Sequence, residues 1–175
     1  ILNFDGTGYI SYSSATTNKN MSLDNSSLVV ASTSSNIKFY KTNFDLKNNS
    51  VLDIQKKVEF GGGNISLDNS SLVLSATATD TKFGGSNFDL TNGSTLTIAA
   101  NNVAVGGANG GVKDGVISLD SGSTFNMTGL NTTTIIEVIV KDSTVNVGKD
   151  AVLSAAMYTV KDAKFTGDGS IGFTN

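Results

Sequence analysis

Short runs in which apolar residues stand two apart recur along the chain: Met21 and Leu23, Phe44 and Leu46, Ile65 and Leu67, Phe88 and Leu90, Ile117 and Leu119, Val138 and Val140, Tyr158 and Val160. Most residues between them are polar, namely Ser22, Asp45, Ser66, Asp89, Ser118 and Thr159, which is the period of two of a strand with one buried face. The motif restarts at Leu23, Leu46, Leu67, Leu90, Leu119, Val140 and Val160, at spacings of 23, 21, 23, 29, 21 and 20 residues. A longer period, an offset of 44 residues, relates Leu23–Val30 to Leu67–Leu74, and Asn43–Leu46 to Asn87–Leu90. Internal repetition on this scale outweighs local propensity as a guide to the fold.

A polar bend follows each first strand, as in Asp24-Asn25-Ser26-Ser27, Lys47-Asn48-Asn49-Ser50 and Thr91-Asn92-Gly93-Ser94. Asn, Asp, Gly and Ser turn the chain by adopting left-handed conformations or by bonding to their own backbone. A second strand continues the alternation. Aligning the repeats predicts Val29, Leu52, Val73, Leu96, Phe125 and Val145 as inward, with Ala31, Ile54, Ser75, Ile98, Met127 and Val147 two positions later. The outward row then reads Leu28, Val51, Leu72, Thr95, Thr124 and Thr144, followed by Val30, Asp53, Leu74, Thr97, Asn126 and Asn146. A weaker third strand lies at Ile37 and Phe39, Val58 and Phe60, Phe83, and Val103 and Val105, closed by Gly61–Gly63, Gly84-Gly85 and Gly106-Gly107.

The pattern predicts an all-β fold, a right-handed parallel β-helix of about seven rungs of 20–23 residues, each adding a strand to three parallel sheets. Helices conflict with the dominance of strand formers and the recurring Gly, Asn and Ser clusters. An antiparallel sandwich does not require the same apolar type at the same place in every repeat. At about 4.8 Å per strand, seven rungs give a rod roughly 34 Å long. Residues 1–20 are expected to be an amino-terminal lead-in or incomplete rung, 21–165 the repeats, and 166–175 the end of the segment. The 29-residue spacing holds Gly106–Gly115, expected as a loop extruded from the coil.

Composition narrows the function. Twelve basic residues, all Lys, stand against 15 acidic ones for a net charge of −3, and without Arg there is no guanidinium fork for phosphates or base edges, so no nucleic-acid partner is expected. His and Cys are absent, which removes His-based triads, disulfides and thiolate metal sites. No cofactor or metal is expected. No apolar run approaches the roughly 20 residues of a membrane helix. The chain starts without Met or a signal peptide and reads as a segment of a longer precursor.

The Leu-x-Asn-x-Ser-aliphatic repeat, the low-charge Asn, Ser, Thr and Gly composition, and Val147-Gly148-Lys149-Asp150-Ala151-Val152-Leu153 resemble passenger domains of bacterial type V autotransporters and related filamentous adhesins. That resemblance spans about residues 21–165 and is more specific for architecture than for activity. It implies a secreted or outer-surface virulence protein for cell adhesion, on the extracellular side of the outer membrane. Its membrane contact would come only through a barrel outside this segment, and its partner would be a host or bacterial cell-surface protein or glycan.

Candidate chemistry is sparse. Asp45 and Asp89 occupy matching places in alternate rungs, about 9.6 Å apart, at or beyond the separation of an inverting glycosidase pair. Outward Asp that recurs because the repeat recurs is the simpler account, and the chain is read as not an enzyme. The Gly-rich loop lacks both the Gly-Lys-Ser/Thr ending of a phosphate cradle and the repeated Gly-x-Asp spacing of a calcium nonapeptide. Asn-x-Ser/Thr sequons begin at Asn20, Asn25, Asn48, Asn64, Asn69, Asn92, Asn126 and Asn131, and stacked glycans at one strand spacing would crowd, so composition explains them better. Lys56 and Lys57 are expected to be neutralised by Asp53 and Glu59 on a solvated face.

Leu28, Val51 and Leu72, flanked by Val30 and Leu74, form an expected outward apolar ladder, which calls for cover by residues 31–37, by the amino-terminal segment, or by a partner. On that reading Leu72→Asp leaves the fold intact and Val73→Asp unfolds it. The function expected is a non-enzymatic adhesin or stalk segment. A carbohydrate-active β-helix enzyme and an ice-binding flat face, the latter suggested by Thr95, Thr97, Thr124 and Thr144, are the alternatives.

Overall fold

The computed structural model describes residues 2–4, 19–31, 37–105, 115–129 and 132–173. Most of the Gly106–Gly115 loop therefore lies outside the described residues. Among them there are 18 strands and no helix, and every strand pair is parallel. The strands stack as a β-solenoid of about six turns. Seven repeat starts enclose six returns of the chain, which is why a count of motifs overstates the count of turns by one.

Hydrogen bonding gathers the strands into two sheets, one of eight strands and one of ten, eight of them along its main path and two paired beside it. The eight-stranded sheet holds the second strand of each repeat, from Ser27–Val30 through Val51–Ile54, Ser71–Leu74, Thr95–Ile98, Thr124–Met127 and Thr144–Val147 to Lys164–Thr166, with Leu2–Phe4 beside Ser27–Val30. The ten-stranded sheet holds the first strands. Several third strands run into it without a break, as in Val58–Asp68 and Lys82–Thr91. Glycine permits one such passage: Gly63 has φ +110 and an added Cβ would stand 2.3 Å from the Thr42 carbonyl oxygen, so neither the conformation nor the space admits a side chain.

Like residues pile up inside. Phe44, Ile65, Phe88 and Ile117 pair in successive register and all are buried, as the repeat predicts. The third-strand residues Ile37, Phe39, Val58, Phe60, Phe83, Val103 and Val105 are buried as well. Phe39, Phe60 and Phe83 form a column of stacked rings with centroids 5.3 and 4.5 Å apart, and Phe44 and Phe88 meet that column edge to face. Full burial of each such side chain is worth about 1.5–3 kcal/mol, and the ring pairs add about 0.5–1.5 kcal/mol each.

The second strand departs from the sequence expectation in two repeats. Leu28, Val30, Leu72 and Leu74 point inward and are 1%, 0%, 0% and 0% exposed, while Val29 and Val73 are half-exposed outside. Bend length explains the reversal. Where two consecutive bend residues have positive φ, at Asn48-Asn49, Asn92-Gly93 and Ser121-Gly122, six residues separate the repeat start from the first inward residue of the second strand. Where only one does, at Asn25, Asn69 and Asp142, five residues suffice. Allowing six residues after Leu23 and Leu67, as after Leu46, Leu90 and Leu119, therefore places Leu28 and Leu72 on the wrong face, because a slip of one residue reverses a strand.

A buried serine marks the true register. Ser50, Ser70, Ser94, Ser123 and Ser143 each stand two residues before the first inward apolar residue. The Ser50, Ser94 and Ser123 hydroxyls donate to the carbonyls of Lys47, Thr91 and Asp120, and Ser70 donates to Asp68. The same oxygens accept from the turn before: the Ser26 N–H reaches Ser50 Oγ, the Ser50 N–H reaches Ser70 Oγ, and the Ser70 N–H reaches Ser94 Oγ, at 3.1–3.2 Å. Ser143 Oγ is buried without a partner. Ser94→Ala should therefore cost about 1–3 kcal/mol, since it leaves the buried Ser70 N–H without its acceptor, and Ser143→Ala should be neutral or stabilising. Denaturant melts of the two variants measure the contrast.

Candidate functional site

The expected partner-binding row does not assemble on the surface. Leu28, Val30, Leu72 and Leu74 lie in the core, and Val51 alone of the five is half-exposed, set between Ser27 and Ser71. A contiguous exposed apolar ladder, and with it the need for cover, is absent at this place.

The outer face of the eight-stranded sheet carries two rows. One runs Ser27, Val51, Ser71, Thr95, Thr124, Thr144 and Lys164, and the other Val29, Asp53, Val73, Thr97, Asn126, Asn146 and Thr166. From Ser71 to Asn146 four successive turns present only small, uncharged side chains, all half-exposed. Asn146 Nδ2 donates to Asn126 Oδ1 at 3.5 Å and Thr166 Oγ1 to Asn146 Oδ1 at 3.3 Å, which orders the carboxy-terminal part of the face.

A second outward feature is a column of asparagines at the entry to each first strand, one residue before Met21, Phe44, Ile65 and Phe88. Asn43 Nδ2 donates to Asn20 Oδ1 at 2.9 Å, the Asn64 N–H to Asn43 Oδ1 at 3.0 Å, Asn87 Nδ2 to Asn64 Oδ1 at 3.3 Å, and the Val116 N–H to Asn87 Oδ1 at 3.2 Å. The sequence signal is Asn at a constant place before the first inward residue, which assigning the Asn residues to overall composition left unread. Further along the bend, Asn48 donates to Asp24 and Asn92 to Asp68, at 2.7 and 2.6 Å.

The charged groups pair locally. Asp45 binds Lys47 at 2.8 Å, and Asp89 is exposed and separated from Asp45 by Ser66 in register. Asp53 accepts from Gln55 and Ser75, and Glu59 binds Lys38 at 2.9 Å. The expected neutralisation of Lys56 and Lys57 by these two acids is replaced by those contacts; both lysines are exposed. The Tyr40 hydroxyl donates to Glu59 Oε1 at 2.9 Å. Lys38 Nζ lies 3.3 Å from that hydroxyl but 5.6 Å from the ring centre, so it stands off the hydroxyl end of Tyr40 rather than over its face. Among the described residues no group of three or more acids, His or Cys could hold a metal ion.

Hydrogen bonds from Lys38 and then Tyr40 hold the Glu59 carboxyl below its ordinary range, and the same ion pair raises Lys38. A depressed carboxylate stabilises the fold above its unfolded value, about 4.3, and that contribution disappears as pH falls through the folded value. Glu59→Gln should therefore flatten the acid limb of a melting-temperature profile below about pH 4 while changing the neutral melt little, because both partners are about a third exposed to solvent.

Beside this geometry, no family model, curated protein or solved structure shows a match to the chain.

Proposed function

We propose that this chain is a non-enzymatic adhesin or stalk segment of a secreted, autotransporter-like bacterial surface protein, with a cell-surface protein or glycan as its partner. The observation that carries the reading is that one repeated unit accounts for both sides of the molecule: inward rows of Phe, Leu, Ile and Val, and outward rows of Ser, Thr and Asn, the asparagines bonded turn to turn. Such a rod is extended and polar, and each turn rests on its neighbours alone. We further infer a right-handed, three-sided coil, since parallel crossovers are right-handed in about 98% of cases and Gly61–Gly63 and Gly84-Gly85 fall where a third side would turn into the next first strand.

Binding of the purified chain to host and bacterial cells, compared with a Val51→Lys and Val73→Lys double variant, tests the reading. A variant that melts normally but adheres less identifies an adhesin using this face; unchanged adhesion identifies a stalk. Turnover of surface polysaccharide by the chain would overturn both.

One observation favours a second reading, a flat face that orders water. With Ser27 and Ser71 in place of the expected Leu28 and Leu72, the hydroxyl row is longer than counting from the repeat start suggests, and it is interrupted at Val51. Thermal hysteresis in ice growth, lost in Thr95→Lys, is the result that reading requires.

A further inference from the structure

The exposed large apolar side chains among the described residues are Met157, Val160, Phe165, Ile171 and Phe173, all in the last turn. Four of them continue core rows. Val160 lies beside buried Val140, Phe165 beside buried Val145, Ile171 beside buried Leu153 and Phe173 beside buried Ala155. Their orientation is that of core residues, yet Val160 is 50% and Phe173 76% exposed. This face is the upper surface of the same turn-on-turn interface that repeats through the molecule.

We propose that this face seats one further turn of the same solenoid, formed by polypeptide running on from the Ser170–Phe173 strand. The register names the seat. Ser170–Phe173 lies beside Val152–Ala155, and the strand of Val152 continues to Lys161. Carried forward, the register of Val152 with Ser170 brings the continuation over Tyr158 and Val160, whose pairing on their other side is with Val138 and Val140. After one bend, the same polypeptide covers Phe165. Its inward residues at these three places must be aliphatic or aromatic, because each meets an apolar row.

A second copy stacked head to tail does not fit the seat. Docking its Lys19–Asp24 edge over Tyr158–Lys161 would bring its Leu2–Phe4 strand, which lies one turn below Ser27–Val30, to the level already held by Lys164–Thr166.

The test appends a copy of Val138–Val147 directly after Asn175 of the full chain. By the register above, the copied Val138 falls over Tyr158, Val140 over Val160 and Val145 over Phe165. A control extension carries Val→Asp changes at those three copied positions. The expected result is that the apolar extension slows amide exchange in Lys164–Thr166 by about tenfold or more, whereas the control does not. Equal exchange in the two extended chains would overturn the proposal. Protection that grows with concentration in the unextended chain would also overturn it, in favour of a second copy.

Discussion

Leu72→Asp is expected to unfold its part of the solenoid, while Val73→Asp, one residue further along, leaves the rod standing. Leu72 is 0% exposed and lies between Leu52 and Leu96 in register, so a carboxylate there has no partner and no water. The loss should be on the order of 4–5 kcal/mol. Val73 is half-exposed, and its replacement should cost about 1 kcal/mol, chiefly through the like charge of Asp53 beside it in register. Counting from the repeat start gives the opposite order, so the two melting curves decide between the registers. Should Val73→Asp prove the more damaging, the serine-anchored register is wrong.

Removing a ring from the phenylalanine column should be nearly as costly. Phe60 touches Phe39, Phe44 and Phe83, and Phe88 meets Phe83 alone among the rings. Phe60→Ala is expected to lose about 3–5 kcal/mol, and Phe88→Ala less, toward the lower end of that range. Because a solenoid unfolds in parts, hydrogen exchange across Lys82–Thr91 is a better measure than one global midpoint. A loss below about 1 kcal/mol for Phe60→Ala would contradict its burial.

Much of the architecture was legible in the spacing of apolar residues. The first-strand rows from Phe44 to Ile117 and the third-strand rows from Ile37 to Val105 are where periodicity puts them, because an inward residue must meet its counterpart one turn away. Second-strand register was not legible by counting, because bend length depends on how many residues adopt positive φ. Asn48-Asn49 and Asn92-Gly93 supply two such residues, whereas Asn25-Ser26 and Asn69-Ser70 supply one. The serine two residues before each inward residue carried that information locally.

The candidate surface was less legible for a related reason. Leu28 and Leu72 looked like an outward row only because they were one place out of step, and correcting the step turns an apolar ladder into a row of hydroxyls. The asparagine column depends on contacts between turns of the coil, and a sequence shows it only after the turns are aligned on Met21, Phe44, Ile65 and Phe88.

The two bend lengths also bear on how such a chain grows. The 44-residue period spans one short bend, at Asn25, and one long bend, at Asn48-Asn49, and its next copy repeats the order with Asn69 and then Asn92-Gly93. A tandem duplication of that length conserves phase: every core residue in the daughter segment lands on a core residue of the parent. A single added or deleted codon inside a bend is absorbed when the left-handed count changes with it, and otherwise turns the following strand inside out. Gene-level drift in this chain is thereby channelled into bends and whole pairs of turns, and strand length stays fixed.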